Sequence, residues 1–423
     1  MPLPIVCASD LMCQFLEMLR PVFSKPQWKY FETVLLGLLH CDERQTMSGW
    51  LRAVCSRCSL CGMSRFLRHA PWSATEVAAA WIRQFHHELI PLVQAEHASQ
   101  RQSQSRRRGR PKCTRVTGAL ILDDSVQVKP RGQVMRGLGR HYSSCEGKVV
   151  TGHNLFQALY VVLGRQCPLQ PRMYRTKKVC ERDKEPFFSK IDLAVQTIQQ
   201  FEPISQTHTL VLADSWYVCK SVWKVTKSRN FTIAGGIKCN RKLRLMAADG
   251  TRRWQRVDAY AESLSDEQWT KVLWPSDKGG IVVEAHSVRT LIHRLGACQF
   301  VCVRRGESIR YFVTSELTAS LEQVIEWLAL RWEIETFFED LKELLGTDHY
   351  QVLHDRAILR IWTLACCLYR FLATTQATSA SHVSIGQCRR SIRDHHRFLF
   401  LTWLQQQFQD GLSPAEIDSF LAS

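Results

Sequence analysis

Apolar residues recur every three to four positions through most of the first hundred residues, and the pattern turns to short runs and alternation from about Gly118. The helical period predicts segments from Leu11 to Leu19, from Trp28 to Leu39 beyond the break at Pro26, from Met47 to Leu51, and from Ala74 to Val93 behind Trp72-Ser73. Residues 1–99 are thus expected to form an all-α domain. Beyond Gly118 the pattern predicts a short strand, Ala119 to Leu122, ending at Asp123-Asp124, then strands at Asn154 to Leu163 and Met173 to Tyr174. A helix from Phe187 to Phe201, a strand from Thr209 to Ala213 ending at Asp214, a helix from near Tyr217 and a strand from Phe231 to Ala234 follow. Residues 238–310 read as a β-rich insertion with turns at Gly250, Gly279, Gly280 and Gly306. The strand Tyr311 to Thr314 then returns to the sheet, and a long helix, Leu321 to Leu345, stops at Gly346. Residues 351–423 are helical, with an apolar helix from Ile358 to Leu372.

Charge sharpens this outline. Lysine and arginine outnumber aspartate and glutamate by 56 to 39, a formal +17 that suits a polyanionic partner, because each neutralised phosphate releases condensed counterions. Double-stranded DNA is the expected partner, contacted in part by the N-terminal helices. Residues 100–117 are a basic linker almost without apolar residues, and their Arg108-Gly109-Arg110-Pro111 core is read either as an AT-hook entering a narrow minor groove or as a solvated segment touching phosphates without preference. No apolar run has the length of a membrane helix and the N-terminus lacks a signal-peptide pattern, so a cytoplasmic, nucleoid-associated protein without a membrane partner is expected. Cys55, Cys58 and Cys61 have a suggestive spacing but no fourth ligand follows, and they are read as structural thiols.

The candidate chemistry lies in carboxylates. Asp123-Asp124 and Asp214 each follow an apolar strand, where open α/β sheets place their functional sites, and only one of Asp123 and Asp124 can face such a site because neighbouring strand residues point to opposite faces. On a continuous helix turning about 100° per residue, Leu328, Arg331, Glu335 and Lys342 share one edge, beside an apolar face of Trp327, Ile334, Phe338, Leu341 and Leu345. Alone, such an acid between two bases is an ion-pair ladder. Three converging acids instead supply the hard oxygen ligands that two divalent ions need. The loop from Lys129 to Arg140, with Lys129 and Arg131, is read as lying along DNA or as a solvated turn. Trp254, Trp269 and Trp274 are read chiefly as packing residues, and His395-His396 as a surface pair.

The segments LALRWEIETFFEDLK, DDSVQVKP and VLADSWYVCK together resemble the motifs of the DDE transposases of bacterial insertion sequences, whose signature is Tyr-x2-Arg-x3-Glu-x6-Lys. Arg331, Glu335 and Lys342 match that signature, and the separation 335 − 214 = 121 is similar to members with a β-rich insertion. The resemblance spans most of the chain from Gly118 to Gly346. It implies a ribonuclease-H-like mixed sheet (residues 118–237 and 311–350) carrying the insertion, with Asp124 or Asp123, Asp214 and Glu335 holding two Mg²⁺ ions, or Mn²⁺. It also implies Arg331 and Lys342 on the phosphates of the element's ends, hydrolysis at terminal inverted repeats, joining of the 3′ ends to target DNA, and a homodimer that pairs two ends. Leu328 stands where the family has tyrosine, and Leu328→Tyr is expected to raise activity. The competing expectation is an inactive, domesticated relative that only binds DNA, with Leu328 the one feature in its favour.

Overall fold

The structure is a computed structural model that describes residues 8–56, 58–105, 116–246, 251–276, 279–379 and 383–422. Its central strand, β1 (Thr117–Val128), is twelve residues long, so Asp123 and Asp124 lie within the strand and not at its end as the apolar run suggested. What ends at Asp123 is a pairing. β1 runs antiparallel to β3 (Lys148–Val162) from Gly118↔Val162 to Val128↔Gly152, but parallel to β6 (His208–Ala213) only as far as Leu122↔Ala213. Ala119 to Leu122 are fully buried, as a strand covered on both faces requires.

β2 (Gly139–Ser143), β4 (Arg165–Pro168) and β5 (Arg172–Tyr174) line the outer side of β3 at successive heights. On the other side of β6, β7 (Thr232–Gly236) pairs in parallel. The insertion supplies β8 (Lys242–Met246), β9 (Arg252–Arg256), β10 (Thr270–Trp274), β11 (Ile281–Ile292) and β12 (Gly296–Arg305). β13 (Ser308–Thr314) joins β12 to β7, so the insertion continues the main sheet in the order β2-β3-β1-β6-β7-β13-β12-β11-β8-β9, with β10 also on β11. Trp269 is buried and Trp274 packs on Phe312, whereas Trp254 is 46% exposed with its ring edge against His293.

Ahead of the sheet come α1 (Asp10–Glu17), α2 (Lys25–His40), α3 (Met47–Ala53), α4 (Leu60–Arg68) and α5 (Ala74–Ser105). α5 continues well past Val93 and carries Pro91 inside it, which costs one backbone hydrogen bond without ending the helix. α6 (Lys177–Asp183), α7 (Lys190–Gln200) and α8 (Lys220–Ser228) follow, with α7 and α8 against the sheet, and α9 (Val257–Glu262) lies in the insertion. The helix expected from Leu321 to Leu345 is two helices, α10 (Leu321–Leu330) and α11 (Glu333–Glu343). Between them Arg331 and Trp332 keep helical dihedrals, but Trp332 N–H donates to the Ala329 carbonyl three residues back, a tightened turn. Gly346 ends the second helix at φ +54°, with Thr347 N–H donating back to Leu341.

α12 (Asp355–Thr378), α13 (Ile385–Gln409) and α14 (Pro414–Ala422) complete the chain. Alone among helices in the described residues, α12 is long and apolar enough to cross a membrane, but it is enclosed by protein. It packs on β4, α2, α4 and α5. Its buried Arg360 stacks on Trp72 and donates to the carbonyls of Phe66, Leu67, Ala70 and Trp72, and its buried Arg370 pairs with Glu88. The first and last parts of the chain therefore share one core. His396, expected on the surface, is fully buried there: its Nε2 accepts from Ser9 N–H at 2.9 Å, and its Nδ1 lies 2.8 Å from His40 Nε2.

Candidate active site

Pleating decides which aspartate meets Glu335. Asp123 points to the side of the sheet covered by α11 and α12, and Asp124 to the side covered by α7. Asp124 is enclosed by three donors, each at 2.6 Å: Asn154 Nδ2 and Lys190 Nζ on Oδ2, and the Tyr217 hydroxyl on Oδ1. Lys190 is the first residue of α7 and lies far from Asp124 in sequence, so nothing in the sequence marked the pair. Tyr217 did fall within a recognised motif, three residues beyond Asp214, but its link to Asp124 depends on β6 lying beside β1.

On the opposite side, Asp123 and Asp214 follow directly after the paired residues Leu122 and Ala213 on neighbouring parallel strands. Asp123 Oδ1 accepts from Asp124 N–H at 2.8 Å, and Asp214 Oδ1 accepts from Trp216 N–H at 2.9 Å and Tyr217 N–H at 3.3 Å, so the turn after β6 is built on that carboxylate. Burial, then the charge of Asp214, push the Asp123 carboxyl up to about 7, and burial raises Asp214 as well. Crowded, part-buried acids of this kind favour a bound cation.

A cation is already present. Arg331, at the turn between α10 and α11, donates through Nη2 to Glu335 Oε1 and stands 3.8 Å from Asp123 Oδ2 through Nη1. The other Glu335 oxygen, Oε2, is buried with no hydrogen-bond partner. Glu333, two residues earlier, is committed elsewhere: Gln166 on β4 donates to it, and Tyr369 on α12 donates to Gln166. That anchorage holds Glu333 toward β4 and α12, while Glu335 pairs with Arg331. Hard oxygen donors with one orphaned oxygen suit Mg²⁺. With Arg331 among them, no three His, Cys, Asp or Glu side chains of the described residues stand close enough to hold an ion.

The expected DNA contacts fall into three groups. Lys342 is half-buried on α11 and Arg131 is exposed on the loop after β1. Lys129 is buried instead, donating to the Tyr350 carbonyl at 2.8 Å and to that of Asp348, with its ammonium 3.6 Å from the Tyr350 ring centre. It ties β1 to the segment after α11 and is not available to DNA as placed. Arg108 and Arg110 lie outside the described residues. Leu328 is buried on α10, whereas Glu335 lies on α11 beyond the Arg331-Trp332 turn. Trp216 and Trp332, each beside a site residue, are 58% and 64% exposed.

Two family models match the chain. One, described as DDE superfamily endonuclease, covers residues 18–276, and the other, described as transposase DDE domain, covers residues 189–371. The first match contains Asp123 and Asp214, and the second contains Asp214 and Glu335. No curated protein matches the chain.

Proposed function

Because the chain belongs to the DDE superfamily of endonucleases and transposases, we propose that it cuts the ends of an insertion sequence and joins the freed 3′ ends to target DNA. The observation that supports this reading is that Asp123 and Asp214 follow paired residues of adjacent parallel strands, while Arg331 both bonds Glu335 and stands 3.8 Å from Asp123. Asp123 is assigned to the site in preference to Asp124, whose oxygens are already engaged by Asn154, Lys190 and Tyr217. Mg²⁺, held by Asp123, Asp214 and Glu335, would supply the Lewis acidity that activates a water or 3′-hydroxyl and stabilises the leaving oxygen.

The protein's own groups do the rest. Arg331 has a planar fork able to hold a phosphate by two bonds, and Lys342 adds a compact charge farther along α11. Asp214 fixes the turn that carries the exposed Trp216. Lys190 and Tyr217 hold Asp124 and so keep β1 in the register that turns Asp123 to the site. Two copies would act together, one on each inverted repeat.

The test is cleavage and strand transfer, in Mg²⁺, of DNA bearing the sequences that flank the gene. Native protein is expected to release and join 3′ ends, while Asp123→Asn, Asp214→Asn and Glu335→Gln are expected to do neither. Cutting by Glu335→Gln at the native rate would overturn the assignment.

A further inference from the structure

The guanidinium of Arg331 lies where an ion must lie if Asp123 and Glu335 are to share one. It bonds one oxygen of Glu335, approaches one of Asp123, and leaves Glu335 Oε2 buried and unbonded. Its position is fixed by the main chain: it caps α10 at the tightened turn, four residues before Glu335, so its short reach covers both carboxylates. A monovalent fork thus neutralises part of a cluster whose burial makes uncompensated charge costly. A divalent ion shared by Asp123 and Glu335 would compete with it for the same oxygens.

We infer that Arg331 is an internal counter-ion that keeps divalent ions out of the DNA-free site, and that a DNA phosphate draws it away and thereby opens the carboxylates to metal. This rests on the proposed metal site. A phosphate is a suitable competitor, because it offers the guanidinium two oxygens in the same fork geometry a carboxylate offers. Among the described residues Arg331 bonds and pairs with these carboxylates, so they are the fixed acceptors it would leave. Ion binding and DNA binding then depend on one side chain with two alternative partners, and linkage requires each ligand to raise the affinity of the other by the same factor.

The experiment measures Mn²⁺ binding by electron paramagnetic resonance and Ca²⁺ binding by calorimetry, with and without a duplex DNA, so that no turnover is needed. Native protein is expected to bind either ion weakly alone and about 5- to 150-fold more tightly with DNA, the span of ordinary couplings. Arg331→Gln is expected to bind the ion more tightly than native protein without DNA and to lose most of the gain on adding DNA. Arg331→Lys, which keeps the charge but cannot span two carboxylates, should fall between them, and Lys342→Gln should leave the DNA-free ion affinity near native. The inference is overturned if Arg331→Gln binds no more tightly than native protein without DNA, or if Lys342→Gln matches its effect, which would make the cause general charge. Undiminished ion binding by Glu335→Gln would instead remove the metal site itself, a separate failure.

Discussion

At the scale of single residues, two adjacent aspartates have opposite burdens. Asp124 is paired with Lys190, their side chains only 13% and 22% exposed, and Asp124→Asn is expected to cost about 2 kcal/mol, below the range for a fully buried pair because some solvent reaches both. Asp123 is the reverse case. Its carboxyl is raised to about 7, so the stability tied to its neutral form is present at low pH and lost as pH rises through about 7. Asp123→Asn should therefore abolish cleavage while leaving the metal-free protein at pH 8 as stable as native or more so, by on the order of 1–2 kcal/mol. Urea melts of both variants at pH 8 without metal check this; a larger loss from Asp123→Asn than from Asp124→Asn would reverse the assignment. The sequence showed that one of the pair must face the site, because alternation is local. Which one depended on Lys190 and Asn154, and their proximity is a property of the sheet.

At the scale of elements, the long helices and the main-sheet strands β1, β3, β6, β7 and β13 were legible because their periods are strong and stops such as Gly346 have a stereochemical reason. The turn at Arg331-Trp332 was not. No proline or glycine marks it, and the apolar pattern runs straight through. The helical wheel put Leu328 on the edge of Glu335, and the expectation that Leu328→Tyr raises activity came from the tyrosine that the resembled signature has at that position. In the fold Leu328 is 4% exposed on α10, where a larger, polar side chain has no room. Leu328→Tyr is now expected to destabilise by about 1–3 kcal/mol without a gain in cleavage. Thermal melts beside the cleavage assay decide; a variant as stable as native and faster would restore the original expectation.

At the scale of the whole molecule, the contacts between the two ends of the chain carry a pH dependence. Because His396 Nε2 accepts from the Ser9 backbone, its Nδ1 must carry the proton that it shares with His40, and both rings must be otherwise neutral. Burial lowers His40 to about 2 and His396 to about 4. For groups with depressed values the contribution is complete above the unfolded value of about 6.5 and is lost as pH falls toward 4, about 3 kcal/mol for His396 if treated alone. Acid titration should release the α1 segment before the sheet unfolds, seen as early hydrogen exchange at residues 9–13, and His396→Gln should flatten the dependence. Uniform exchange across the molecule would refute it. Sequence reasoning placed His396 on the surface because adjacent histidines in a basic helix look solvated, and only the packing of α13 on α2 shows otherwise.

The chain leaves the main sheet after β7 and rejoins it on β13, and those two strands are neighbours, Gly236 lying opposite Phe312. The segment between them enters and leaves the sheet at one place, while its β10 and β11 also pack on α10. Such a junction tolerates replacement by a tight turn as readily as by a longer excursion, since neither alters the strands that hold Asp123 and Asp214. The segment is in this sense a cassette: its length can change without moving the strands that carry Asp123 and Asp214.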